Sequence, residues 1–255
     1  MNNKKSKNEI IEESIGKRKL NRFKSTFSHI LKKGDLLDVG CGKGDWLKFL
    51  SERTKLSLMG VDASQINLNK ANKNLIGKNI PIKITNAMNL PFPDNRFGQV
   101  TALEVLEHMP QWKIGLGEII RVASKKVVIT VPYNEKPICE ICPNCKSISY
   151  LEGHINRFTD KDFKSIDIKG KITFHKIKYT SSFNYQIKWR GLLRSSNKIS
   201  YLKNIKINTK IPKTVCPSCH KGAPYKKYAK RFIRRLIRTL TNSPEYLLVS
   251  IDLTD

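Results

Sequence analysis

Five of the six cysteines in this chain lie in two tight groups. Cys142-Pro143-Asn144-Cys145 and Cys216-Pro217-Ser218-Cys219 are the same Cys-Pro-x-Cys knuckle written twice. Each such turn can direct two thiolates at one ion, so Cys142, Cys145, Cys216 and Cys219 can complete a tetrahedral Zn2+ site. Cys139 and His220 are alternative ligands. No fourth cysteine continues the first run with ferredoxin spacing, which speaks against an iron–sulfur cluster. Clusters of this kind fit metal binding in a reducing compartment better than a disulfide framework, so the expected location is the cytosol. A zinc here is expected to be structural, stapling its segment to the rest of the chain.

A second stretch could hold a ligand without a metal. Leu36-Leu37-Asp38-Val39 reads as a strand, Gly40-Cys41-Gly42-Lys43-Gly44 follows it, and a helical pattern begins at Asp45. Glycines at alternate positions let the backbone turn sharply and approach a ligand with no Cβ in the way. Asp62, at the end of the next apolar run, follows Gly40 by 22 residues, a spacing at which a carboxylate accepts hydrogen bonds from both hydroxyls of a ribose. The dinucleotide fingerprint would place glycine at position 45, where Asp45 stands.

The elements that must position these groups follow from hydrophobic periodicity. Residues 9–32 carry apolar side chains at helical spacing. Strands are predicted at 35–39, 56–61, 80–85, 99–103 and 126–131, with helices at 45–52, 64–75 and 112–122; Ser64 is a cap. Such alternation predicts a parallel sheet with helices on both faces. Beyond Pro132 it gives way to knuckles, polar loops and a basic segment, with two further strands at 172–179 and 246–251. The expected organisation is a disordered basic tail over 1–8, an α/β domain over 9–180, a basic insertion with the second knuckle over 181–244, and a final strand in 245–255.

Residues 36–131 resemble the class I family of S-adenosylmethionine-dependent methyltransferases, in particular its small-molecule branch. The resemblance is carried by Leu36-Leu37-Asp38-Val39-Gly40-Cys41-Gly42-Lys43-Gly44, by Gly60-Val61-Asp62-Ala63-Ser64, by Asn86-Ala87-Met88-Asn89-Leu90-Pro91-Phe92-Pro93-Asp94 and by Leu103-Glu104-Val105-Leu106-Glu107-His108. It implies a Rossmann-like α/β fold with a seven-stranded, mostly parallel sheet, here decorated by a zinc-bearing basic insertion. It also implies that Asp38, Gly40 and Gly42, with Gly44 in the same loop, line the methionine end of the cofactor. Asp62 would hold the ribose, Ala63 would flank the adenine, and Asn86 and Ala87 would recognise it. The family usually has Asp where Asn86 stands; the Asn carbonyl still accepts a hydrogen bond from the adenine amino group.

Glu104, Glu107 and His108 follow the fourth strand at i, i+3 and i+4, which on a first helical turn would project them to one side near the methyl. The pattern resembles that of ubiquinone-pathway O-methyltransferases, where it is associated with a divalent cation that lowers the pKa of an acceptor hydroxyl. Alternatively Glu104 contacts the methionine end while Glu107 and His108 cap and pack. His154 precedes a helix cap at Thr159, where relatives carry a similar His-x-x-x-Phe-(Ser/Thr) stretch close to the acceptor. It is a candidate general base, or a histidine that orients or packs; His108 is the second candidate.

The formal net charge is +27, and residues 168–244 hold 20 Lys and Arg with no Asp or Glu. That field attracts phosphate, nucleic acid or an anionic membrane, although a general bias towards lysine also raises the total. Within it, Phe232, Ile233, Leu236, Ile237 and Leu240 mark one face of a helix, and Lys230, Arg231, Arg234, Arg235 and Arg238 the rest. Such a helix packs on the domain, lies on a membrane surface or meets RNA. No apolar run reaches the roughly 20 residues of a membrane span, and the basic, polar N-terminus predicts no secretory leader. The expected function is methyl transfer to O or N of a small-molecule, glycan or lipid-linked acceptor, in the cytoplasm or peripherally at the membrane. RNA methylation, and a non-catalytic RNA-binding zinc protein on a degenerate methyltransferase fold, are the alternatives.

Overall fold

The computed structural model of the chain describes residues 16–135, 139–141, 145, 148–150, 153–178, 214–215, 222–223 and 245–254. After α1 (Lys17–Phe27), strands and helices alternate: β1 (Asp35–Val39), α2 (Asp45–Ser51), β2 (Ser57–Asp62), α3 (Gln65–Asn74), β3 (Ile82–Ile84), β4 (Phe97–Leu103), α4 (Trp112–Arg121) and β5 (Ala123–Pro132). Then come β6 (Cys139–Ile141), β7 (Ile148–Tyr150), α5 (Asp160–Lys164), β8 (Gly170–Ile177), β9 (Thr214–Val215), β10 (Gly222–Ala223) and β11 (Tyr246–Leu253).

Seven strands form one sheet in the order β3-β2-β1-β4-β5-β11-β8. The first five pair in parallel, and β11 runs antiparallel between β5 and β8, with Val249 opposite both Ile129 and Phe174. This is the mostly parallel, seven-stranded sheet implied by the resemblance. Successive strand side chains alternate between two cores, as a pleated strand buried on both faces requires. Leu37, Val39, Val127, Ile129 and Leu247 face Leu116, Ile119 and Phe163. Leu36, Val128 and Leu248 face Phe23, Trp46, Leu47 and Leu50.

The expected elements differ from the observed ones mainly at their ends. The helix expected over 9–32 is described from Lys17 and stops at Phe27, while residues before 16 lie outside the described set. Tertiary bonding ends it: the Leu31 N–H donates to Gln99 Oε1 at 2.8 Å, and Gln99 Nε2 donates to the Leu31 carbonyl at 2.9 Å. The third strand shortens to three residues because Pro81 has no N–H to give the ladder. Ser64 caps α3 as expected, its Oγ accepting from the Asn67 N–H at 3.3 Å.

The chain divides into two units: residues 1–139, 150–178 and 244–255 form the first, and residues 140–149 and 179–243 the second. The sheet lies in the first. In the second, β9 pairs antiparallel with β10, Val215 opposite Gly222. The strands β6 and β7 form a two-stranded sheet of their own.

Candidate cofactor and acceptor site

In a doubly wound sheet, ligands gather beyond the carboxyl ends of the strands where the order reverses. Here the reversal falls between β1 and β4. Past β1, Gly40 and Gly42 have φ of +69° and +55°, a region open to glycine at little cost. A Cβ on Gly40 would sit 2.5 Å from Val105 Cγ2, so glycine lets the loop close on the β4 end. At Gly42 nothing lies within 4 Å of the equivalent point, and the loop there faces an open cradle. The Gly42 N–H donates to Asp62 Oδ2 at 2.8 Å, while Asp62 Oδ1 accepts from the Ser64 N–H at 2.8 Å. The ribose-binding candidate is thereby locked to the glycine loop, with Ala63 exposed beside it. Past β3, Asn86 Oδ1 accepts from the Met88 N–H at 2.9 Å, which leaves its second lone pair for an amino group.

Asp38 sits under this loop. Trp46 Nε1 donates to Thr101 Oγ1 at 3.2 Å, and that hydroxyl donates to Asp38 Oδ1 at 2.8 Å. Burial pushes the Asp38 carboxyl up to about 7, against the lowering effect of the Thr101 bond. Cys41, the cysteine outside both knuckles, is also buried; desolvation pushes its thiol up, so it packs as a protonated, unreactive side chain.

The acceptor half of the site departs from expectation. Glu104 has φ of +62°, rare for a residue with a Cβ, and its N–H donates to the Thr130 carbonyl at 2.9 Å. That left-handed residue prevents an α-helical turn, and only a 3-10 turn, Leu106–His108, follows. Glu104, Glu107 and His108 therefore do not project together from one helical face. Glu104 turns to Arg22 of α1, with Oε2 3.3 Å from Nη1; Glu107 is buried and His108 is exposed.

Residues 153–159, which follow the chain's return to the first unit at residue 150, are pinned to this turn. The Glu107 carbonyl accepts from the N–H groups of Ile155 at 2.9 Å and Asn156 at 3.2 Å. Asn156 Nδ2 donates to the carbonyls of Leu106 at 3.1 Å and Met109 at 2.6 Å. Trp112 of α4 meets Phe158 edge-on at 5.0 Å and anchors the approach to α5. Thr159 starts α5, its N–H donating to Asp162 Oδ2 at 2.7 Å. His154 consequently lies between two carboxylates, with Nε2 4.0 Å from Glu107 Oε1 and Nδ1 3.9 Å from Glu135 Oε2.

Burial first, and the nearby Glu104 carboxylate second, raise the Glu107 carboxyl well above its ordinary range. Neither Glu107 oxygen has a hydrogen-bond partner among the described residues. His108 meets His154 edge-on at 5.0 Å, and its Nδ1 lies 3.2 Å from the Gly153 carbonyl. A carbonyl can only accept, so Nδ1 donates in this contact. One ligand atom from each of Glu107, His108 and His154 lies within 4.8 Å of the others. The cluster can move a proton or hold a cation.

Sequence reasoning missed Arg22 and Glu135, whose only signal is charge beside an apolar pattern. Of the proposed zinc ligands, Cys145 is described and exposed. Cys142, Cys216 and Cys219 lie outside the described residues, as do His220 and the amphipathic helix read near 225–240.

The methyltransferase domain family matches residues 36–126. The sterol 24-C-methyltransferase erg6 of Schizosaccharomyces pombe is 33% identical over 91 residues, 34% of this chain and 24% of the relative. A demethylmenaquinone methyltransferase of Staphylococcus saprophyticus is 28% identical over 176 residues, 68% of this chain and 72% of the relative. Phosphoethanolamine N-methyltransferase 2 of Haemonchus contortus, solved with S-adenosyl-L-methionine, shares the fold with a TM-score of 0.59 at 15% identity, over 92% of this chain and 53% of that one. The chain spans about a quarter of the sterol relative's length. The glycine loop, Asp62 and the reversal between β1 and β4 all fall inside residues 36–126, the segment that matches the methyltransferase domain family.

Proposed function

We propose that the protein transfers a methyl group from S-adenosylmethionine to an oxygen or nitrogen of a small-molecule, glycan or lipid-linked acceptor, with His154 taking the acceptor's proton. The observation that carries this reading is the meeting of two half-sites at one end of the sheet. Past β1 and β2 the Gly42–Asp62 bond preforms a ribose site; past β4 His154 is held against buried Glu107. The bound cofactor supplies a methyl made electrophilic by its sulfonium. The chain's own residues then have to align a nucleophile and remove its proton. A proton gained by His154 draws Glu107 towards its charged form, so the pair shares it. The acceptors in the names of the two relatives, a sterol and a demethylmenaquinone, support an apolar or lipid-linked substrate.

His154→Ala is expected to lower kcat by roughly 100- to 10,000-fold, the usual range for a lost general base. Cofactor affinity measured by calorimetry should stay at the wild-type value. Unchanged turnover removes His154 from the mechanism. A second reading, favoured by the bare Glu107 oxygens, has Glu107, His108 and His154 hold a divalent cation that acidifies the acceptor; turnover that depends on added Mg2+ or Mn2+ selects it. Methyl labelling of a cell extract separates the acceptor classes. Label in the lipid or metabolite pool supports the proposal, and label in RNA replaces it with RNA methylation.

The two knuckles are assigned to one structural Zn2+ held by Cys142, Cys145, Cys216 and Cys219. Strand β6 ends at Ile141 and β7 starts at Ile148; β9 ends at Val215 and β10 starts at Gly222. Each pair thus encloses six residues, 142–147 and 216–221, opening on Cys-Pro-x-Cys. Four thiolates from two such turns suit zinc in number and softness.

The basic segment is assigned to engagement of the acceptor or of an anionic membrane surface. No helix among the described residues is long and apolar enough to cross a membrane, so the contact proposed is peripheral. Reversing Arg231, Arg234, Arg235 and Arg238 to Glu is expected to weaken binding to anionic vesicles while cofactor affinity persists. Vesicle binding equal to wild type would leave those arginines as a solvated surface. Loss of RNA binding instead, with a salt slope of about one per phosphate contact, would name a nucleic acid.

A further inference from the structure

Two histidines that take no part in the cofactor and acceptor site meet where helix α1 ends on the edge of the sheet. His29 stands just past the last residues of α1, and His175 belongs to β8, the outermost strand. Their rings lie 4.1 Å apart, centre to centre, and are tilted by 53°. The fold places both. Ile177 of β8 is buried in the same core as Phe23 of α1, and alternation along the strand turns His175, two residues earlier, towards that helix. Phe27 packs against this core from the last turn of α1, and Asn21 Nδ2 donates to the Lys178 carbonyl at 2.8 Å, which ties helix to strand. The same alternation sends Lys176 to the opposite face, where its Nζ stands 3.3 Å from Asp160 Oδ2.

The pair has the chemistry of a metal ligand set. His29 Nδ1 lies 2.8 Å from the Ser25 carbonyl, which only accepts, so Nδ1 donates there. Ser28 Oγ, 3.1 Å from the same nitrogen, gives its own proton to that carbonyl at 2.8 Å. The neutral His29 ring therefore carries its lone pair on Nε2, and a backbone carbonyl on the other ring nitrogen is the usual device that orients a ligating imidazole. His175 is exposed and His29 half-buried, so an ion reaches the pair from solvent. Desolvation first, and the neighbouring His29 second, lower the His175 pKa, which favours the neutral ring that a metal needs. Two imidazoles held to one ion at right angles by bonds of about 2.1 Å keep their ring centres about 4.5 Å apart. The 4.1 Å between these two needs only a small side-chain rotation to match.

We propose that His29 and His175 bind one exchangeable divalent transition-metal ion of the class of Zn2+, Ni2+ or Cu2+, which clips the end of α1 to the edge strand β8. Imidazole nitrogen suits these ions, whereas Mg2+ and Ca2+ take oxygen ligands. Two protein ligands leave the other coordination positions to water, so this ion exchanges, unlike one held by four thiolates. The clip is separate from the knuckles, because both histidines belong to the first unit and all four knuckle cysteines to the second. It does not draw on the cofactor reading.

The test uses the full chain, equilibrated beforehand with one equivalent of Zn2+, which the thiolates take first. Ni2+ is then added while NMR follows the ring protons of the five histidines. The signals of His29 and His175 are expected to broaden together, with one common midpoint. In His29→Gln the His175 signal should survive to more than about 10-fold higher Ni2+, since losing a ligand costs at least as much as losing a group that merely orients one. His175→Gln should protect His29 in the same way. Added Ni2+ should also raise the melting temperature of the wild type, because the clip exists only in the folded chain, and should not raise that of either variant through this site. Separate midpoints for the two histidines overturn the proposal, and so does broadening of one that is unchanged when the other is replaced; the rings are then a packing contact. A melting shift that both variants keep in full overturns the clip as well. Should a variant fail to fold, the two wild-type midpoints decide alone, with the signals assigned through bonds.

Discussion

Asp62→Ala is expected to weaken S-adenosylmethionine binding by about 100-fold or more, the largest single loss available in the cofactor half of the site. Two effects add. In the proposed reading the carboxylate accepts from the ribose hydroxyls, and hydrogen bonds to a charged group contribute about 1.5–3 kcal/mol each. The same carboxylate holds the Gly42 N–H at 2.8 Å and the Ser64 N–H at 2.8 Å, so its removal also releases the glycine loop and loosens the start of α3. Asp62→Asn separates the two, because the amide keeps one neutral acceptor for the loop; it is expected to bind with intermediate affinity. Calorimetry on the three proteins reads the result, with thermal melting as the check that the sheet survives. Wild-type affinity in Asp62→Ala would remove the ribose assignment.

Local chemistry dictates the part of the molecule that was legible in the sequence. The glycine loop could be read because Gly40 and Gly42 occupy backbone that other residues avoid. The strands could be read because burial on both faces makes Leu36-Leu37 or Val127-Val128-Ile129 continuous apolar runs. Ser64 announces its own cap through a side chain that bonds three residues ahead. Glu104 shows where such reading stops. Nothing in Leu103-Glu104-Val105 signals a left-handed residue; the conformation answers to Thr130 and Arg22, distant in sequence, and it cancels the helical turn expected there. Arg22 was invisible for the same reason. A cation in an amphipathic helix normally faces water, and only the packing of Phe23 on Trp46 and Phe49 turns it inward. Likewise His154 and Glu107 are 47 positions apart in the sequence, and the bonds that bring them together run through backbone groups that no motif records.

Cys216→Ser is expected to abolish zinc binding and to cost the second unit its stability. Strands β9 and β10 hold two residues each, and the ladder between them is the pairing of Val215 with Gly222 and Thr214 with Ala223. A two-residue hairpin does not hold itself together in water, so something besides the ladder must fix it. A tetrathiolate ion suits that need: structural zinc sites contribute apparent free energies on the order of 10–16 kcal/mol, far above what a four-residue ribbon supplies. Both Cys-Pro-x-Cys sequences belong to the second unit, and one ion shared between them would cross-link residues 140–149 to residues 179–243. Elemental analysis of purified wild type should find one zinc per chain, and Cys216→Ser should lose it. Limited proteolysis should then cut within 179–243 much faster than in the wild type. Cofactor affinity should persist, because the glycine loop and Asp62 lie in the first unit. Wild-type protein free of zinc, or a Cys216→Ser variant that keeps its metal and its protease resistance, would refute the shared site.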